Sequence, residues 1–335
     1  MATTSARTRL PIAVDAMGGD NAPSSIVEGA RRAVEERDIP VILVGRSAEL
    51  GDTGDLEVIE ASEVIAMDDD PGSSVRTMKD SSLVRAAEAV RDGKAAAMVS
   101  AGNTGATMAS ALLRTGRIKG VARPAIATTI PGPEGPPTVL LDAGANSECR
   151  PEWLVQFAQM GAVFSRARFE VEKPRVGLLS IGEEPGKGSP LVKETWDLLD
   201  TVDWDAQGAT FIGNVEGRDL MGSEVDVVVT DGFTGNVALK SLEGCARNII
   251  GALLEAFDST EQTQAAAEQL MPALLPLYKR FDADTYGGAM LLGTKGPCII
   301  SHGSSSAEAM VNAISVASEM VEGELVTQLA AAVAK

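Results

Sequence analysis

The chain holds a single histidine, His302, with no second one to complete a metal pair or a proton relay. Its three cysteines, Cys149, Cys245 and Cys298, are odd in number and far apart. That pattern excludes a disulfide framework and the short spacings of a zinc site, and it suits a reducing cytoplasm. Aromatic residues make up only 4% of the sequence, too few for a protein that binds nucleic acid by base stacking. Positive charge is scarce: 29 Lys and Arg stand against 47 Asp and Glu, a net charge of −18. Such a surface repels a phosphate backbone, so nucleic acid is not an expected partner. No apolar run reaches about 18 residues, the length a membrane-spanning helix requires. Residues 1–9 lack the apolar core of a signal peptide and read as a disordered lead-in.

Familiar catalytic signatures are missing as well. There is no G-x-S-x-G nucleophile elbow and no G-x-x-x-x-G-K-[ST] phosphate loop. Met17-Gly18-Gly19-Asp20 falls short of the G-x-G-x-x-G dinucleotide fingerprint. Asp197, Asp200, Asp203 and Asp205 have no regular facing pattern and read as a solvated acidic surface rather than a metal site. A catalyst built from this chain positions groups and stabilises charge, with no evident covalent intermediate.

What is present is a repeated pattern in 335 residues, 44% of them hydrophobic and 34 of them glycine. Four short apolar runs end in small or polar residues: PIAVDAMGGD at 11–20, AMVSAGNTGA at 97–106, VLLDAGAN at 139–146 and VVVTDGFTGN at 227–236. Each reads as a buried strand, a tight turn and a helix start. Strands are expected at 12–15, 41–45, 56–61, 96–100, 125–130, 138–142, 175–181, 210–213, 225–230 and 297–301. Helices are expected at 23–37, 81–92, 104–115, 151–167, 192–200, 236–257, then up to about 280, and at 305–332. This alternation predicts a mainly parallel sheet covered on both faces, with ligands at the strand C-terminal edge. Residues 10–335 read as one two-lobed α/β domain with an apolar helical hairpin at about 258–290. Within it, Leu270, Met271, Leu274, Leu275 and Leu277 flank two prolines. They read either as packing in the hairpin or as a tip that dips into a membrane surface.

Several clusters carry possible chemistry. Gly102, Asn103, Thr104 and Gly105 stand where helix N-terminal amides can hold an anion, or where a turn is simply capped. Asp231, Thr234 and Gly235 precede Asn236 and Lys240, which lie four apart and share a helix face. An amide and an ammonium there suit an anionic substrate or a developing oxyanion. Lys187, between Gly186 and Gly188, reads as a mobile basic loop that folds over phosphate, or as a surface turn. His302, with Ser304 beside it, offers a further anion site at the last strand end. Arg114, Arg117, Lys119 and Arg123 lie within ten residues that contain no acid.

In combination these segments resemble the acyl-acyl-carrier-protein:phosphate acyltransferases of bacterial phospholipid synthesis, the PlsX family. The matching stretches are VDAMGGD at 14–20, SAGNTGA at 100–106, GRIKG at 116–120, RPA at 123–125 and LLDAGAN at 140–146. GNVEGRDL at 213–220, VVVTDGFTGNVALK at 227–240, YGGA at 286–289 and HGSS at 302–305 complete the series. They cover nearly the whole chain after residue 9. Two departures stand out: Asn21 follows Asp20 where the family commonly has His, and the lysine loop is recognisable only through Lys187-Gly188.

The resemblance implies a three-layer α/β/α fold like isocitrate and isopropylmalate dehydrogenases, as a homodimer. It implies attack of inorganic phosphate on the thioester of a long-chain acyl-acyl carrier protein, with no metal or nucleotide cofactor. The acyl phosphate would feed phosphatidic acid and phospholipid synthesis. It also implies peripheral contact with the inner face of the cell membrane, and a downstream membrane glycerol-3-phosphate acyltransferase as partner. Under this reading Lys187, Asn236, Lys240 and His302 are the catalytic candidates. Asp15, Gly18, Gly19, Gly102, Asn103, Thr104, Gly105, Asn146, Asn214, Asp231, Thr234, Gly235 and Ser304 are the substrate- and phosphate-binding candidates. The acidic carrier protein needs a local basic patch, and residues 114–123 are the candidate. Three rivals are a coenzyme A-dependent phosphate acetyl- or butyryltransferase, a metal-dependent decarboxylating dehydrogenase, and a non-catalytic membrane scaffold.

Overall fold

The computed structural model describes residues 9–132, 135–281 and 283–334. Residues 1–8 of the expected lead-in lie outside the described residues. The chain divides into two compact units, one running to Pro124 and resuming at Tyr286, the other spanning Ala125–Thr285.

The first unit begins with β1 (Ile12–Asp15), α1 (Ser24–Arg37), β2 (Val41–Gly45) and β3 (Glu57–Glu60). It continues through α2 (Pro71–Thr77), α3 (Ser82–Arg91), β4 (Ala97–Ser100) and α4 (Thr104–Thr115). The second unit comprises β5 (Ala125–Ile130), β6 (Thr138–Leu141), α5 (Pro151–Phe169), β7 (Arg175–Leu179), α6 (Pro190–Asp200) and α7 (Trp204–Gln207). It then adds β8 (Thr210–Val215), β9 (Val227–Val229), α8 (Gly232–Asp258) and α9 (Glu261–Phe281). The chain returns to the first unit with β10 (Ala289–Leu292), β11 (Cys298–Ile300), α10 (Ala307–Glu322) and α11 (Leu325–Val333).

In the first unit the strand order is β3-β2-β1-β4-β11-β10. The strands pair in parallel apart from β10 against β11. The second unit orders its strands β5-β6-β9-β7-β8, parallel apart from β5 against β6. β1, β4, β6 and β9 are buried along their whole length, as strands covered on both faces must be. The apolar runs therefore have no polar alternation. In the second unit Leu140, Leu179, Val215, Leu220 and Val228 form one core cluster, against which Leu239 and Leu242 of α8 pack. In the first, Val75, Leu83, Val84 and Ala106 join α2, α3 and α4. The fold is the expected mainly parallel, three-layer α/β/α arrangement. All four strand-end clusters stand where expected, after β1, β4, β6 and β9.

Three local expectations change. The helical hairpin turns at Ser259 and Thr260, between α8 and α9, and Leu270–Leu277 lies inside α9 with Pro272 and Pro276 within the helix. It is thus a helix face rather than a hairpin tip. Met271 and Leu274 are half-buried, while Leu270, Leu275 and Leu277 are about half exposed. The closing helix is broken at Gly323–Glu324, where Glu324 takes a left-handed φ of 53° and separates α10 from α11. The strand β10 was not anticipated, because four apolar residues between glycines carry little periodicity.

Candidate functional site

In the first unit the strand ends are tied together by one carboxylate. Asp15 closes β1 and is buried. It accepts hydrogen bonds from the Met17 amide at 3.2 Å and the Ser100 hydroxyl at 2.7 Å. The Ser100 oxygen in turn accepts the Gly102 amide at 3.0 Å. Burial pushes the Asp15 carboxyl above its ordinary range, against these donors and those of Ser82 and Gly18. A Cβ at Gly18 would lie 2.6 Å from the Asp15 carboxylate and 2.8 Å from Gly102 Cα, so the two loops meet only because Gly18 has no side chain. Gly19 takes a φ of 108° and packs against the Gly303 carbonyl, which accepts the Asp20 amide at 2.7 Å.

Asn21, the departure in the first motif, donates its side-chain amide to the Ser304 carbonyl at 3.0 Å and the Ser305 carbonyl at 3.3 Å. It holds the last loop against the first. His302 is exposed, and its Nδ1 accepts the Ser304 amide at 3.3 Å beside the Ser304 hydroxyl at 2.7 Å.

Asn103 is not a free donor. Its oxygen caps α4 through the Ala106 amide at 3.0 Å, and its nitrogen donates to the Met67 carbonyl at 2.9 Å and the Asp69 carbonyl at 3.2 Å. A Cβ at Gly105 would collide with Pro71 of α2, so that glycine serves packing. The exposed Thr104 and the first-turn amides of α4 remain at the strand edge.

In the second unit Asp142, named by no sequence argument as a site residue, does what Asp15 does in the first. It accepts the amides of Ile126 at 3.0 Å, Gly144 at 3.1 Å, Ala145 at 2.9 Å and Asn146 at 2.7 Å, and the Asn146 side-chain amide at 2.8 Å. Burial pushes its carboxyl upward despite these donors. The signal was available: Asp142-Ala143 repeats the Asp-Ala opening of Asp15-Ala16 at the end of a buried strand, with glycine close behind in both. Asn146 thus braces the turn, and its carbonyl accepts the Gly232 amide at 2.7 Å. Asp231 caps α8, accepting the Thr234 amide at 2.9 Å and hydroxyl at 2.8 Å. A side chain at Gly235 would overlap the Asp142 carbonyl. These three are structural supports of the loop that presents Asn236, which is exposed and lies against Gly144.

The two lysines behave differently. The Lys240 ammonium bonds the Glu243 carboxylate at 2.8 Å, one turn along α8, rather than turning back toward the strand edge. Lys187 is exposed and makes no ion pair among the described residues. Its loop is not the open loop that flanking glycines suggested. The Lys187 amide donates to the Glu184 carbonyl at 2.9 Å, closing a β-turn with Pro185 at its second position. The Asn214 side-chain amide donates to the same carbonyl at 2.8 Å. Asn214 is therefore engaged with the loop. Of the basic cluster, Arg114 lies half-buried beside Glu88 at 3.5 Å, while Arg117, Lys119 and Arg123 are exposed. The Arg117 guanidinium donates to the Ala122 carbonyl. Asp203 caps α7 and Asp205 pairs with Lys173 at 2.7 Å.

Two of the thiols are held in the protonated form by their surroundings. Burial and the carboxylates of Asp142 and Asp231 push Cys149 up to about 12, and burial alone does the same for Cys298. What the strand ends offer is amides, Asn236 and an unpaired ammonium, a set suited to holding an anion.

Comparisons with known proteins give the family. A family model described as "Fatty acid synthesis protein" matches residues 10–328. The phosphate acyltransferase of Leptospira biflexa is 48% identical over 324 residues, covering 94% of each chain. That of Lysinibacillus sphaericus is 45% identical over 325 residues, covering 96% of this chain and 97% of the other. The chain belongs to the phosphate acyltransferase family. Membership makes it an acyltransferase. Among solved structures, a phosphotransacetylase from Streptococcus pyogenes matches with a TM-score of 0.64 and 18% identity, covering 94% of each chain. At that identity the likeness is one of fold.

Proposed function

We propose that the protein transfers the acyl group of a long-chain acyl-acyl carrier protein to inorganic phosphate, in support of phospholipid synthesis. A phosphate oxygen attacks the thioester carbonyl carbon and forms a tetrahedral oxyanion. The carbon–sulfur bond then breaks, the carrier thiolate leaves and takes up a proton, and acyl phosphate remains. Lys187 holds the phosphate as a point charge, and the Asn236 amide and strand-end N–H groups meet the developing oxyanion. The observation that carries this reading is Lys187: an ammonium without an acidic partner among the described residues, set on a closed turn after β7, in a chain of this family.

The donor is tested by comparing palmitoyl-acyl carrier protein with palmitoyl-coenzyme A at saturating phosphate. The carrier-protein thioester is expected to be used far more efficiently, and equal or better use of the coenzyme A thioester would overturn the assignment. For carrier docking we assign the exposed Arg117 and Lys119. Reversing both charges is expected to raise KM for acyl-acyl carrier protein about tenfold, because like charges now face an acidic partner, and to leave KM for phosphate unchanged. An unchanged KM for the carrier substrate rules out this surface.

No helix among the described residues is long and apolar enough to cross a membrane. We assign peripheral attachment to the exposed Leu270, Leu275 and Leu277 of α9, next to Lys279 and Arg280. Burying apolar side chains of this size in the interface contributes of the order of 1 kcal/mol each. Leu275→Asp with Leu277→Asp is therefore expected to abolish co-flotation with vesicles containing anionic lipid. Undiminished flotation places the contact elsewhere.

A further inference from the structure

We infer that Asn214 is a positioning residue that acts on the reaction through Lys187, an inference that rests on the phosphate-holding role proposed for that lysine. The argument begins with a bulge. Strand β8 pairs Phe211 with Val176 and then Gly213 with Gly177, so Ile212 is the extra residue. Gly213 accommodates the irregularity with a φ of 91°. A bulge of this kind re-aims the side chains that follow it. Asn214 consequently pairs opposite Leu178 with its side chain buried, 5% exposed, and its amide on the Glu184 carbonyl.

That carbonyl is the one that closes the Lys187 turn, so a single acceptor joins β8, Asn214 and the backbone of Lys187. The stem of Lys187 runs past Gly182, where a Cβ would approach its Cγ to 3.0 Å. The turn is thus fixed from two sides. Arg218 pairs with Glu183 at 2.8 Å on the outside, but both side chains are about two-thirds exposed, and such pairs contribute little. Asn214 is the buried attachment. Its other polar atom, Oδ1, is buried and has no partner among the described residues. An apolar residue would avoid that cost, so the side chain is retained for what its amide does. Asn214, one of the substrate- and phosphate-binding candidates, gives its amide to the lysine turn.

The test is a double-mutant cycle on the full chain, with phosphate as the varied substrate. Asn214→Ala is expected to lower kcat/KM for phosphate about tenfold or more through misplacement of the ammonium. In a Lys187→Ala background the same change is expected to alter kcat/KM by less than twofold, because the group it positions is gone. Arg218→Ala is the control and is expected to stay near wild type. Asn214→Ser supplies the same comparison if the alanine variant folds poorly. An equal tenfold loss in both backgrounds overturns the inference and makes Asn214 a direct substrate contact. A kinetically silent Asn214→Ala also overturns it. A silent Lys187→Ala defeats the proposed lysine role itself, and the positioning inference with it.

Discussion

Lys187→Ala is expected to lower kcat/KM for phosphate by about 100-fold or more while the protein stays folded. A preorganised charged donor to a transferring phosphate or a developing oxyanion is worth about 3 kcal/mol, which is two orders of magnitude in rate. The other lysine candidate of the second unit, Lys240, is paired with Glu243. The stability cost is small because the ammonium is exposed and makes no ion pair among the described residues, and surface changes of this kind stay within about 0.5 kcal/mol. Lys187→Arg is expected to recover activity only in part, because a planar fork does not present charge as a compact ammonium does. The check is steady-state kinetics with varied phosphate alongside thermal melts. Activity of the alanine variant within threefold of wild type contradicts the role.

The second large effect concerns stability. Asp142→Ala leaves four backbone amides and the Asn146 side chain without their acceptor. Each buried unsatisfied donor costs about 1–3 kcal/mol, with some relief where the turn reaches water, so a total near 4 kcal/mol is expected. At about 2 °C per kcal/mol for a chain of this size, the transition falls by roughly 8 °C. Asp142→Asn separates acceptor geometry from charge. Its remaining oxygen can serve Ile126, Gly144 and Ala145, while its amino group faces the two donors of Asn146. The expected loss is about half that of alanine, on the same per-bond scale. Differential scanning calorimetry of the three proteins decides it. An alanine variant that melts within a degree of wild type would show that the turn does not depend on this carboxylate.

The sequence made the strand-turn-helix units legible because their signals are local. The apolar runs of β1, β4, β6 and β9, bounded by glycine and aspartate, required no tertiary information. The limits of α4 were legible from Asn103 and Gly116, a cap and a stop. Where reading went astray, the deciding partner was distant or the local signal ambiguous. Proline usually ends a helix, yet Pro272 and Pro276 sit within α9. The apolar pattern of 305–332 continues across Gly323, and only the left-handed Glu324 breaks it.

The site was legible as a set of loops but not as a set of roles. Asn103 finds its carbonyl partners 34 and 36 residues away, at Asp69 and Met67, and Asn214 finds Glu184 30 residues away. No spacing rule reaches those distances. Lys240 is different: Glu243 three residues on was visible as a helix-surface partner. Asp142 was visible too, as the second member of a repeated Asp-Ala turn.

The central claim is that phosphate itself attacks the thioester. Its most direct test follows release of free carrier thiol from palmitoyl-acyl carrier protein, with and without phosphate, at enzyme concentrations high enough to see a single turnover. The expected result is thiol release only when phosphate is present, matched mole for mole by acyl phosphate. A stoichiometric burst of thiol without phosphate would show an acyl-enzyme intermediate, and thiol release without acyl phosphate would show hydrolysis; either contradicts the account.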